Sequence, residues 1–374
     1  MKTVHNQQTA DDWIVCLIEW FDLRARALPW RRSKDPYRIW LSEIMLQQTQ
    51  VQTVTPYFER FLSAFPTVSA LAEANEQDVF KIWEGLGYYS RARNLLKAAK
   101  IVHHDHQGKL PDQKNQLLAL PGIGPYTAGA ILSIAFGKPV PAVDGNVVRV
   151  LSRITATAWD LKNLKDRQAV QKVLERKIPD NRPGDFNEAI MDLGATVCLP
   201  QNPQCHQCPL QSSCRANLLN QTADFPVKSS SRPLPVEDRV LIIISSGPLV
   251  HVLQRPDTGL LAGLYTFDWL KQDSSVSALN QSRLIEMRAS PIVIGVQPLP
   301  DLVHRFTHLI WSIKAHWFQI SEPNLSPFLD HLDSSCDVSQ QSAWVSKKEL
   351  KHLPLPKAMH AYREIVLDSS TESS

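Results

Sequence analysis

Residues 120–144 read LPGIGPYTAGAILSIAFGKPVPAVD, and this stretch restricts the fold more than any other. Leu120-Pro121-Gly122-Ile123-Gly124-Pro125 cannot continue a helix, because it carries two prolines and two glycines. Gly122 and Gly124 permit a tight turn whose successive backbone N–H groups point outward. A helix is predicted from about Tyr126, since Ala128, Ile131, Leu132 and Ala135 recur at i, i+3, i+4 and i+7. It stops at Gly137-Lys138-Pro139. The chain then returns through Val140-Pro141-Ala142-Val143 to Asp144, ahead of a second apolar-periodic run at Val147, Val148 and Leu151. Amides exposed at a helix N-terminus suit one DNA phosphate, and a carboxylate follows one helix later. Taken singly, the turn also reads as an ordinary helix–helix connection and Asp144 as an N-cap.

A chain of 374 residues is long for one domain and comfortable for two. Its 43% hydrophobic and 21% charged residues exclude a disordered or fibrous protein. The net charge of +3 is uninformative as a whole, but residues 1–225 hold 26 basic and 22 acidic residues and the remainder 14 and 15. A grip on nucleic acid must therefore come from local patches and backbone amides in the first part. The N-terminal MKTVHNQQTADDW has no signal-peptide shape, and no apolar run reaches the ~18 residues of a membrane span. Four of the six cysteines fall in 198–214, which suggests a metal site in a reducing compartment rather than a disulfide framework. Cys16 and Cys336 stand apart as ordinary thiols.

In order, residues 12–28 read as an amphipathic helix, broken by Leu28-Pro-Trp-Arg-Arg. Residues 41–62 read as helix interrupted near Gln47–Thr49, with Glu43 early in it among Leu41, Ile44 and Met45. A glutamate there ordinarily faces solvent and favours the helix N-terminus. Gly85-Leu-Gly-Tyr-Tyr-Ser-Arg-Ala-Arg-Asn is a glycine turn leading two aromatics and two arginines into a helix. It reads either as a cap over core tyrosines or as a loop that enters a duplex and stacks on bases. Residues 162–193 supply further helices, ending in a segment that holds Glu188. Cys198, Cys205, Cys208 and Cys214, spaced C-x6-C-x2-C-x5-C, can hold zinc or a four-iron cubane. A Pro/Ser/basic linker, PVKSSSRPLP, spans 226–235. Strands are then expected at 239–245 and 249–255 around a Ser246-Gly247-Pro248 hairpin, and later at 304–313 and 316–320.

The turn, helix and following Asp resemble the helix-hairpin-helix DNA glycosylases. The string Leu-Ser-Glu-Ile-Met-Leu-Gln-Gln-Thr-Gln-Val at 41–51 narrows the resemblance to the adenine DNA glycosylase (MutY) family, over nearly the whole chain. The resemblance implies an all-α helix-hairpin-helix domain with an iron–sulfur loop, followed by an α+β Nudix-like domain. The expected boundaries are 1–225, with the hairpin at about 117–136, a linker at 226–236 and the second domain at 237–374. The cysteine spacing also matches endonuclease III and its relatives, which implies a [4Fe-4S] cluster in a structural role.

By the same resemblance the chain hydrolyses the N-glycosidic bond of adenine mispaired with 8-oxoguanine or guanine in double-stranded DNA. Glu43 is then the catalytic acid, protonating adenine N7, and its apolar neighbours are expected to raise its pKa from about 4.3. Asp144 stays ionised beside helix N-terminal amides and stabilises the sugar cation, electrostatically or through a transient covalent bond. Tyr126 stands where bifunctional relatives carry a Schiff-base lysine, so a monofunctional enzyme is expected. Arg26, Trp30, Arg31 and Glu188 line the adenine pocket. Gly122 and Gly124 grip DNA, while Tyr88 and Gln48 fill the space left by the extruded base.

In the second part, Gly259-Leu-Leu-Ala-Gly-Leu-Tyr-Thr-Phe resembles a Nudix segment. The acidic magnesium box is missing, since 259–285 holds Asp268 and Asp273 but no glutamate, so binding without nucleotide hydrolysis is expected. The family's Phe-Ser-His loop for 8-oxoguanine reads Phe306-Thr307-His308 here, and Leu261-Ala262 replaces the Trp-Gly of many members. A monomer in the bacterial cytoplasm, at the nucleoid and off the membrane, completes the expectation. The rivals are an endonuclease III-like glycosylase for oxidised pyrimidines and a catalytically silent lesion-binding protein.

Overall fold

Capping residues and prolines set where the helices start and stop in the computed structural model, which describes residues 12–227, 229, 233–256, 258–270, 277–332 and 342–369. The N-terminal 1–11, linker residues 228 and 230–232, Asp273 and Cys336 lie outside that description. The chain divides into two compact units, 1–74 with 94–231 and 75–93 with 232–374. Among the described residues no helix is long and apolar enough to cross a membrane.

The first unit is helical. Asp35 caps the helix Pro36–Leu46, its carboxylate accepting from the Tyr37 and Arg38 amides at 2.8 and 3.1 Å, with proline at the first helical position. The interruption expected near Gln47–Thr49 is present: Gln48 takes φ +58° and a new helix runs Val51–Ala64. The first helix, Asp12–Arg24, stops four residues short of the expected Leu28, at the approach to Pro29. Its Trp13, Leu17 and Phe21 pack with Val147, Val148 and Leu151 of Gly145–Thr155 and with Phe186, Ile190 and Leu193 of Pro183–Thr196.

The stretch that opens the sequence keeps its turn but not its uniform helix. Gly122 sits at φ +80°, and a Cβ there would meet Asn94 Cβ at 2.9 Å. The α-helix covers only Pro125–Ala130, and Ile131–Ala135 widens into a π turn. Ser133 Oγ donates to the Gly129 carbonyl at 2.8 Å, drawing on the ladder at that point. Asn187, fully buried, donates to Ser133 Oγ and to the Val140 carbonyl, and accepts from the Ala142 amide. The returning segment passes so close that a Cβ on Gly129 would meet the Pro141 carbonyl oxygen at 2.3 Å. This clamp delivers the chain to Asp144.

The second unit is built on a seven-stranded sheet: β1 Val236–Ser246, β2 Leu249–Gln254, β3 Tyr265–Thr266, β4 Asp268–Trp269, β5 Val293–Arg305, β6 Ile310–Ile320 and β7 Ser342–Ser346. The order is β3-β2-β1-β6-β5, with β4 also on β1 and β7 also on β2; β1 and β6 run parallel. Leu241 to Ile244 are all buried because both faces are covered: 241 and 243 join the core with the helix Lys357–Asp368, while 242 and 244 join Met287 and Phe328. The Ser246-Gly247-Pro248 hairpin forms, with Ser246 opposite Leu249.

The later strand boundary differs from expectation. No break falls at Lys314-Ala315, where the exposed lysine simply takes its outward turn in β6. The turn instead lies at 306–309, where the Phe306 amide donates to the Leu309 carbonyl at 2.9 Å and Arg305 pairs with Ile310. Phe306-Thr307-His308 is thus the tip of the β5–β6 hairpin.

Candidate active site

Seven of the expected residues wall one cavity of about 670 Å³ in the first unit: Arg26, Trp30, Arg31, Glu43, Tyr126, Asp144 and Glu188. They come from five separate segments, and each is held by its own local structure. Glu43 is carried on Pro36–Leu46, only 6% exposed. Its Oε2 is buried without a hydrogen-bond partner. Burial is the main cause that pushes its pKa up to about 7; a hydrogen bond from Tyr126 opposes this, and the Glu188 and Asp144 charges add to it. The Tyr126 hydroxyl also lies 3.2 Å from Met191 Sδ, a much weaker acceptor than the carboxyl. Burial, with Glu43 and Asp144 nearby, raises the tyrosine far above its ordinary pKa and keeps it protonated.

Asp144 caps Gly145–Thr155 and also lines the cavity, so the N-cap position does not remove it from the site. Oδ1 accepts from the Val147 amide and Oδ2 from Asn146 Nδ2, both at 2.8 Å. Burial pushes its pKa up, and the Val147 amide, Asn146 and the Arg149 charge pull it back without reversing the direction. The expected amides are therefore present, but they compensate for burial rather than dominate it.

The arginines are already engaged. Arg26 donates from Nε and Nη2 to Asp192 Oδ1 at 2.8 and 2.5 Å. Arg31 reaches Asp192 Oδ2 from Nη1 at 2.7 Å and Glu188 Oε1 from Nε at 2.6 Å. Burial alone would raise Asp192, but the two guanidiniums hold it below its ordinary value. Burial likewise raises Glu188, and Arg31 only partly offsets this. Two carboxylates are thus paired with arginine, and Glu43 and Asp144 are left as the reactive candidates. Asp192 and Asn146 escape the sequence reading. Asp192 lies one turn after Glu188, a spacing that puts both on one helix face.

Elsewhere in this unit, Cys198, Cys205, Cys208 and Cys214 line a common small cavity. Arg153 Nη1 lies 3.3 Å from Cys198 Sγ, and Arg149 Nε donates to the Cys198 carbonyl at 2.8 Å. Gly122 and Gly124 are exposed, and a Cβ on Gly124 would meet nothing within 4 Å. Gln48, also exposed, does not line the active-site cavity.

The chain resembles known proteins over both units. Residues 41–180 match the HhH-GPD superfamily of base excision DNA repair proteins, 198–214 the iron–sulfur binding domain of endonuclease III, and 239–364 the NUDIX domain. The adenine DNA glycosylase of Mus musculus is 36% identical over 355 residues, covering 80% of this chain and 69% of its own length. That of Buchnera aphidicola subsp. Acyrthosiphon pisum is 31% identical over 350 residues, covering 93% and 95%. A thermostable thymine-DNA glycosylase superposes with a TM-score of 0.52 at 28% identity, covering 56% of this chain and 96% of its own. The chain belongs to the adenine DNA glycosylase family.

It is accordingly a base excision repair glycosylase, a hydrolase of N-glycosyl bonds, with a helical helix-hairpin-helix part and a sheet-containing Nudix-like part. Its cofactor is a [4Fe-4S] cluster. The donor set fits: four thiols share one cavity, and the Arg153 guanidinium beside Cys198 offsets the negative charge that four thiolates bring. When bound, the cluster supplies a cross-link that fixes the 198–214 loop against the core, where Cys198 and Cys208 already pack.

In the second unit of this family member, Tyr88 and Phe306, Thr307 and His308 line one cavity of about 370 Å³. Phe306 stacks edge-on against Trp311 at 4.8 Å and His304 at 4.6 Å, which fixes the hairpin tip. Tyr88 is 41% exposed at φ +49°, with Arg91 over its ring at 5.4 Å. Leu261 takes φ +58° in the turn that replaces Trp-Gly.

Proposed function

We propose that the chain releases adenine from A:8-oxoguanine and A:G mispairs in duplex DNA, without cutting the strand. The observation that carries this is the pair Glu43 and Asp144 on one cavity in different settings, one a buried acid with its pKa near 7 and only a tyrosine hydroxyl beside it, the other held by an amide and Asn146. The adenine must first leave the stack and enter the cavity. Glu43 then passes its proton to adenine N7 as the C1′–N9 bond breaks, so the base departs neutral. Asp144 faces the oxocarbenium-like sugar and stabilises its charge, in the division of labour seen when two carboxyl groups cleave glycosides. Water adds to C1′ and returns a proton to the Glu43 carboxylate. Tyr126, protonated, holds the Glu43 carboxyl in place and offers no amine to the sugar. Arg26, Arg31, Glu188 and Trp30 shape the base pocket, and the Gly122–Gly124 turn binds a phosphate.

The preference for 8-oxoguanine is assigned to the second unit, through the Phe306–His308 tip; Tyr88, with Gln48, fills the space left by the extruded adenine. In domain terms, 1–225 is the glycosylase, apart from residues 75–93, which group with the second unit; 226–236 is the linker and 237–374 the reader. The enzyme acts as a monomer on chromosomal DNA in a bacterial cytoplasm. The test is single-turnover base release from duplexes carrying A:8-oxoguanine, A:G, A:T or an oxidised pyrimidine, with borohydride present. Adenine from the first two and no trapped adduct is expected. Release confined to the oxidised pyrimidine, or abundant adducts, would overturn the assignment.

A further inference from the structure

The turn that carries Tyr88 is tied down at both ends by polar contacts within the second unit. Before the turn, Glu84 ends the helix Glu76–Trp83, and its side chain is 11% exposed. Arg363 Nη1 donates to Glu84 Oε1 at 2.5 Å, and His360 Nε2 donates to the same oxygen at 3.1 Å. Both come from Lys357–Asp368, one turn apart. Lys81 Nζ donates to Glu84 Oε2 at 2.6 Å and to the Lys351 carbonyl at 2.9 Å. After the turn, Arg93 donates to the Ala262 carbonyl at 2.5 Å and to Glu76 at 3.0 Å. Between these anchors the backbone passes through three positive φ angles, at Gly85, Gly87 and Tyr88.

Burial would raise Glu84, yet the hydrogen bonds from His360, Lys81 and Arg363 and the Arg363 charge hold its carboxyl down at about 2, so it stays charged under all working conditions. A buried carboxylate with several cationic partners contributes geometry more surely than stability. The geometry it supplies is the placement of Tyr88 on the cavity that Phe306–His308 also lines.

We propose that Glu84, held by Arg363, His360 and Lys81, is a positioning residue for opposite-base selectivity, locking the Tyr88 turn in register with the Phe306–His308 tip. It touches neither the target adenine nor the reacting sugar. The inference rests on the reading of Phe306–His308 as the 8-oxoguanine contact.

The test uses the full-length, cluster-loaded enzyme and the variants Glu84→Gln, Arg363→Met and their combination, with Arg363→Lys as the charge-keeping control. Single-turnover adenine release is measured on A:8-oxoguanine and A:G duplexes over a range of enzyme concentrations. The saturated rate on A:8-oxoguanine should change less than about twofold, while half-saturation rises and the preference over A:G falls about tenfold. The double variant should lose no more than either single one, as expected for partners in one interaction, and Arg363→Lys should keep most of the preference. Amide exchange of residues 85–91 should speed up in Glu84→Gln. If the large variants misfold, Lys81→Met, which removes the most exposed partner, should shift the same ratio by a smaller factor. Unchanged preference and unchanged exchange in Glu84→Gln would overturn the positioning role, provided that Thr307→Ala/His308→Ala does lose preference. If that pair of substitutions also leaves preference intact, the assignment of the tip itself fails, and the proposal with it.

Discussion

Replacing Glu43 by glutamine separates two consequences of its burial. The first is catalytic: an amide cannot deliver a proton, and losing a general acid costs at least about a hundredfold in rate. The second concerns stability and has a sign that follows from the pKa. Glu43 rises from 4.5 to about 7 in the folded protein. The folded state therefore keeps a proton that the unfolded chain releases, and stability falls as pH climbs through that window, then levels off above it. The pKa difference corresponds to about 3 kcal/mol at about 1.4 kcal/mol per unit, lost in full above neutrality and absent below 4.5. Glutamine carries no charge, so Glu43→Gln escapes this loss. The amide NH2 still needs a partner, a cost of about 1 kcal/mol that is the same at every pH. The variant should thus be inactive, bind A:8-oxoguanine duplex normally, and gain thermal stability over the parent between pH 5 and pH 8.5. Single-turnover release and melting curves at the two pH values provide the measurement. Near-normal release, or a variant that loses ground to the parent at the higher pH, would refute the reasoning.

Other outcomes follow from the same site. The parent's single-turnover rate on A:8-oxoguanine should be flat below pH 7 and fall with unit slope above it, because Glu43 must be protonated with a pKa near 7; a rate still level at pH 9 would contradict this. Cys198→Ala should abolish the broad visible absorption and the iron content of about four atoms per chain, and stoichiometric zinc in anaerobically purified parent would show the wrong metal. Asp192→Asn should destabilise the first unit by about 3 kcal/mol, since Arg26 and Arg31 lose a buried counter-charge; a melting temperature equal to the parent's would mean that water or Glu188 replaces it.

Local signals proved readable and long-range ones did not. Read residue by residue, Glu43 is a solvent-facing glutamate and Asp144 an N-cap; it is the family resemblance that groups them with Tyr126, and the three do line one cavity. The π turn at Ile131–Ala135 was not readable, because it depends on Asn187 reaching Ser133 from 54 residues away. Asp192 was missed for a related reason: a carboxylate four residues after another looks like surface charge until Arg26 and Arg31 arrive from far along the chain. The strand boundary at 314–315 was misplaced because a lysine on the outer face of a strand looks like a break when only one partner strand is considered. The grouping of 75–93 with 232–374 has no local sequence signal, since it rests on pairs such as Glu84 with Arg363.

Four carboxylates meet around one cavity or its wall, and residue type alone does not distinguish their roles. Arg31 settles the first division by taking Glu188 and Asp192, the latter shared with Arg26. Backbone settles the second. Asp144 begins a helix, so an amide and a neighbouring side chain support its anion against burial. Glu43 lies inside a helix whose amides are already spent on their own ladder, so burial acts on it with little opposition beyond one tyrosine hydroxyl. Exchanging the two side chains, as Glu43→Asp with Asp144→Glu, should therefore fail even though both carboxyls remain. The shorter acid at 43 withdraws its oxygen from the cavity by about one methylene, ~1.5 Å, and a misplacement of about 1 Å can cost on the order of a hundredfold in rate. The longer acid at 144 overshoots the Val147 amide that caps the helix, a loss of about 1 kcal/mol. A double variant that retained more than a tenth of the parent's single-turnover rate would show that the positions, and the environments they impose, matter less than the carboxyl groups themselves.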